Sequence, residues 1–67
     1  MNRKKYNEVK QAAAKILKNF DILSSDDLYA KDANTMCMLY EHLKAGIIEK
    51  FDVDESELNK ILDEILP

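Results

Sequence analysis

Glycine, proline, cysteine and tryptophan are nearly missing from this chain. Of 67 residues one is Gly, one is Pro, one is Cys and none is Trp. Each scarcity excludes something. A lone Gly46 cannot build a glycine-rich phosphate loop. A lone Pro67 leaves the rest of the chain without the strongest helix breaker. Cys37 has no second cysteine to pair with, and a chain this small without a disulfide framework is expected in the cytoplasm rather than outside the cell. One His and one Cys do not make a structural zinc site. No apolar run approaches the ~20 residues of a membrane-spanning helix. The basic start Arg3-Lys4-Lys5 is not followed by the apolar core of a signal peptide. The expectation is a soluble, cytoplasmic chain with no membrane partner and no cofactor.

What remains is rich in helix formers. Apolar residues make up 46% of the chain and charged residues 34%, too apolar for a disordered segment and well supplied with Leu, Ile, Ala, Lys and Glu. Residues 1–67 are expected to form one helical domain. A chain of this size buries only about 60% of the surface its unfolded form exposes. At roughly 0.05–0.15 kcal/mol per residue its stability is a few kcal/mol to about 10. Self-association is one way for so small a core to grow.

The stretch 47–66, IIEKFDVDESELNKILDEIL, carries the most local information. Asp54 is a suitable N-cap, with Glu57 three residues on as a capping-box partner. Val53 and Leu58 fall at the two positions of a hydrophobic staple. Glu55 and Glu57 complement the positive end of the helix dipole. Leu58, Ile61, Leu62 and Ile65 then recur at three-and-four spacing, with Leu66 at the edge of that face. Before the turn, Ile47-Ile48-Glu49-Lys50-Phe51 reads as the end of another helix. That order of apolar pairs, turn and capped helix resembles the helix-turn-helix of small bacterial and phage regulators. This chain has Asp52 where that turn usually has Gly, and Ile48 where the helix crossing usually has Ala. The resemblance implies a DNA-binding dimer with Glu55, Ser56, Glu57, Asn59 and Lys60 on its recognition helix.

Upstream, residues 2–20 read as a first helix with Tyr6, Val9, Ala13, Ile16, Leu17 and Phe20 on its apolar side. Ser24 or Ser25 is positioned to cap a short helical turn within 25–31. Asp32 or Asn34 is positioned to cap a long helix, expected from about Ala33 to Phe51. Met36, Leu39, Tyr40, Leu43, Ile47 and Phe51 lie on one face of it. Met38, His42, Ala45 and Glu49 form a second stripe, with Cys37 and Ile48 between the two. A helix apolar on more than one side contacts two neighbours. Gly46 marks a kink, a close helix contact or a helix boundary. The fold expected is all-α, a small compact bundle of three main helices with room for a short fourth.

Catalytic chemistry finds little purchase. Cys37 and His42, five residues apart on a helix, point about 140° from one another and do not form a nucleophile–base pair. Cys37 is expected to serve as a small core hydrophobe. Asp52-Val53-Asp54-Glu55-Ser56 imitates the opening of a calcium loop, but the glycine needed at the sixth place is Glu57. No enzyme and no metal site are expected.

Charge is the remaining signal. Residues 1–20 hold six bases and one acid, net +5, whereas residues 49–67 hold two bases and seven acids, net −5. Lys4, Lys15 and Lys18 at the basic end and Glu55 and Glu57 at the acidic end are the candidate electrostatic contacts. An acidic recognition helix repels phosphate, so nucleic acid is the disfavoured partner. The expected function is that of a small non-enzymatic regulatory or adaptor protein binding another protein or itself, as a homodimer. The second stripe (Met38, His42, Ala45 and Glu49) is the candidate interaction surface, against the alternative that it packs internally. A helix-turn-helix regulator and an acidic mimic of nucleic acid are the other two readings.

Overall fold

Local caps decide where the helices begin. In a computed structural model that describes residues 2–67, each of the four helix starts is closed by a short polar side chain accepting a bond from the backbone N–H three residues on, which satisfies one orphan donor of the first turn. Asn2 accepts from Lys5 at 2.7 Å and opens the first helix, Arg3–Asn19. Ser24 accepts from Asp27 at 3.2 Å and opens a short helix, Ser25–Tyr29. Asp32 accepts from Thr35 at 2.7 Å and opens the long helix, residues 33–51. Asp54 accepts from Glu57 at 2.7 Å and opens the last helix, Glu55–Ile65. No strand occurs among the described residues, and the architecture is all-α as the periodicity predicts.

Two helix ends use the left-handed conformation without glycine. Asp21 has φ 59° and Asp52 has φ 54°. After the first helix, Asp21 N–H donates to Lys18 C=O and Ile22 N–H to Leu17 C=O, the two bonds of a Schellman ending. Its apolar contact is supplied by Ile22 and Leu17, both buried. After the long helix, Val53 N–H donates to Ile48 C=O at 3.3 Å in the same six-to-one pattern. Asp tolerates this region better than most residues because its short polar side chain can bond locally.

The long helix is continuous but not uniform. Ala33–Leu43 is α-helical, Lys44–Ile48 forms a π-helical turn, and Glu49–Phe51 returns to α. The wider turn brings residues five apart onto one face. Leu43 and Ile47 are buried and Ile48 half-buried in consequence. Gly46 lies in this turn, where a Cβ would stand 3.0 Å from Cδ1 of Ile16 on the first helix. Of its expected roles, the close helix contact is observed, and the helix does not end there.

The core is a single cluster. Val9, Ala13 and Leu17 of the first helix meet Ile22, then Leu39, Leu43 and Ile47 of the long helix, Val53 of the turn, and Leu58 and Ile61 of the last helix. No polar or charged residue is buried among those described. The radius of gyration is 11.3 Å, close to the ~11 Å of a folded chain this length. The first helix packs against both the long and the last helix, while the last helix meets the long helix chiefly at the π turn. The two therefore diverge along Ala33–Leu43. The first helix covers one side of that wedge and the other stays open.

Candidate functional site

The open side of the wedge is an apolar groove of ≈ 200 Å³. Leu39, Leu43 and Leu58, all buried, form its floor. Met36 and Tyr40, one turn apart on the long helix, form one wall, and Leu62 and Asn59 of the last helix form the other. Leu28 reaches in from the short helix, which is held in place from both ends of its first turn. Ser25 N–H donates to Pro67 C=O at 3.1 Å, tying it to the end of the last helix. Asp27 accepts from Leu23 N–H at 2.9 Å, one residue before the Ser24 cap, and so holds the chain where it enters the helix. Glu55 is the one charged side chain lining the groove.

Met36 and Tyr40, which share the apolar face of the long helix with buried Leu39 and Leu43, are 38% and 45% exposed. The stripe is real, but the last helix leans away from this half of the long helix, so only Leu39 and Leu43 are covered. Cys37 is also exposed, correcting its expected core role. It sits 100° around the helix from Met36, toward solvent.

The second stripe lies elsewhere on the long helix. Met38 is 55% exposed, and His42, Ala45 and Glu49 are exposed beside it. His42 meets Phe20 of the first helix edge-on, with ring centroids 5.4 Å apart. That ring pair is one point at which this stripe packs internally. Met38 and Ala45, seven residues apart, share a face two turns long.

The charged candidates divide by side. Lys4, Lys15 and Lys18 are exposed on the first helix, at spacings that place them within about 60° of one another. Lys15 borders a broad depression with Glu8, Gln11 and Lys50. Glu55 faces the groove, whereas Glu57 borders a different depression with Tyr6, Lys60 and Glu64. The two glutamates thus do not form one patch. Asp32 has its carboxyl held below its ordinary value, first by the Thr35 N–H and then by the Thr35 hydroxyl, against an opposing effect of desolvation, with the charge of Lys31 contributing least.

The groove escaped sequence reasoning because its walls come from stretches that look like core. The available signal was the pair Met36 and Tyr40, a flexible thioether and an aromatic with a polar tip, at positions where a closed core would take Leu. No protein-family model, curated protein or solved structure matches the chain.

Proposed function

We propose that this chain is a small non-enzymatic binding module that acts on another protein through the groove between its long and last helices. The observation carrying this reading is the half-exposed pair Met36 and Tyr40 standing over a floor of buried leucines. Apolar side chains gathered at one concave site, with Met among them, are the chemistry of helix-in-groove recognition. At ≈ 200 Å³ the groove is smaller than the ~300–1,000 Å³ of small-molecule pockets. It suits one or two side chains presented by a partner. A regulatory or adaptor role follows from binding without chemistry.

A second reading, self-association, is favoured by a separate observation. Met38 is 55% exposed with Ala45 exposed on the same face, and a two-fold dimer buries one such patch against its copy. The helix-turn-helix reading draws support from the left-handed Asp52 and from Asp54 as the cap of the last helix. It faces a last helix whose exposed residues include Glu55, Asp63 and Glu64 against Lys60, which disfavours phosphate.

The test is affinity capture with wild type and with Met36→Gln/Tyr40→Gln as parallel baits, alongside duplex DNA followed by fluorescence anisotropy. A protein held by wild type and lost by the double variant is expected, with no appreciable DNA binding at physiological salt. Identical capture by both baits, or tight salt-sensitive binding of DNA, overturns the reading.

A further inference from the structure

We infer that the occupant of the groove is a basic amphipathic helix of a partner protein, an inference that rests on the groove being the binding site. The argument is charge. Residues 21–67 hold twelve acids against four bases. Of those bases, Lys50 and Lys60 border the other two depressions, and Lys31 and Lys44 lie outside the groove lining. The one charge in the lining is Glu55. Asp63 follows Asn59 by one turn on the last helix as Lys44 follows Tyr40 on the long helix, so the flanks beyond the lining carry one charge of each sign and the charge at the groove itself is that of Glu55. The positive charge of the molecule is concentrated on the first helix, whose apolar face is already spent in the core.

This arrangement selects among occupants. A second copy docking groove to groove would bring a second Glu55 to the same interface with no base in either lining to meet it, because a two-fold interface repeats one patch on both sides. An anionic membrane surface meets the same repulsion. A helix with two apolar residues at i and i+4 and Lys or Arg beside them meets complementary chemistry on both counts. Its apolar pair lies between Met36, Tyr40 and Leu62, and its bases face Glu55.

The test uses three synthetic helical peptides of about five turns. They share one leucine face and differ in carrying Lys, Gln or Glu on the other. Binding is followed by amide chemical shifts of the full-length protein. The Leu/Lys peptide is expected to perturb Met36, Tyr40, Leu28 and Leu62. Its affinity should fall about tenfold or more in Met36→Gln/Tyr40→Gln, as for a central apolar anchor. Glu55→Lys, an exposed charge reversal, should weaken it by about two- to fivefold. Raising salt from about 50 to about 500 mM should weaken it further. Equal binding of the Leu/Gln or Leu/Glu peptide at the same residues removes the basic partner and leaves the groove as a protein-binding site. Binding of the Leu/Lys peptide that the double variant does not alter, or no perturbation of the groove by any of the three, removes both.

Discussion

Gly46 offers the sharpest test of how the helices fit together. Within a helix, Gly→Ala is worth about 1 kcal/mol of propensity. Here the new Cβ would stand 3.0 Å from Cδ1 of Ile16, where carbon contacts prefer about 3.5–4.0 Å. Ile16 is half-buried, and Cδ1 is the end of its side chain. Turning it aside costs about 0.5–1.5 kcal/mol if an off-rotamer angle results. Shifting the first helix instead costs about 1–3 kcal/mol. The two effects nearly cancel, so Gly46→Ala alone should be neutral to about 1 kcal/mol destabilising. Ile16→Val removes the offending methyl at a cost of about 0.5–1 kcal/mol, the low end for a half-exposed site. In the double variant the methyl added at position 46 meets no obstruction, and the helix preference of alanine is expressed. The double variant should therefore be more stable than the sum of the singles by about 1 kcal/mol. Urea denaturation of all four proteins, with unchanged m values, reads this as a difference in midpoints. Additivity within about 0.3 kcal/mol, or a full gain of about 1 kcal/mol from Gly46→Ala alone, would refute the close contact as the reason for glycine.

Asp21→Gly and Asp52→Gly should each raise stability by about 0.5–1 kcal/mol, because relief of the left-handed strain exceeds the entropy glycine adds to the unfolded chain. Thermal melts that fall for both would contradict the assigned helix endings. Leu58→Ala should cost about 2–5 kcal/mol and Leu62→Ala clearly less, since Leu58 is buried and Leu62 half-exposed at the groove wall; equal losses would mean that the groove is closed in solution. The depressed Asp32 carboxyl contributes stability that is present above the ordinary Asp pKa and is lost as pH falls through its lower folded value. NMR titration should place Asp32 below an unstructured Asp, and Asp32→Asn, which keeps a capping side chain, should remove that step. A midpoint at or above the ordinary value would exclude the cap as its cause. For the self-association reading, sedimentation equilibrium should give twice the 7.7 kDa chain mass at roughly tens of micromolar, reverting to monomer in Met38→Asp; a monomer throughout would rule out the Met38 face as a dimer interface.

The sequence by itself determined what depends on neighbours along the chain. Asp54 marks its helix start because a cap is closed by a backbone N–H three residues away, whereas Ser24 rather than Ser25, and Asp32 rather than Asn34, were chosen in the folded chain. The stripes of the first and last helices follow from a period that needs no partner to be read. Tertiary structure decided what depends on distance between helices. Met36, Leu39, Tyr40 and Leu43 form one stripe, yet two are buried and two stand open because the last helix touches the long helix mainly at the π turn. Cys37 lies at the surface because it stands about 160° around the long helix from buried Leu39. The π turn and the methyl opposite Gly46 are likewise products of packing, set by how closely the first helix approaches. A periodic pattern states which residues can face a neighbour, and the angle and spacing at which that neighbour arrives settle which of them are covered.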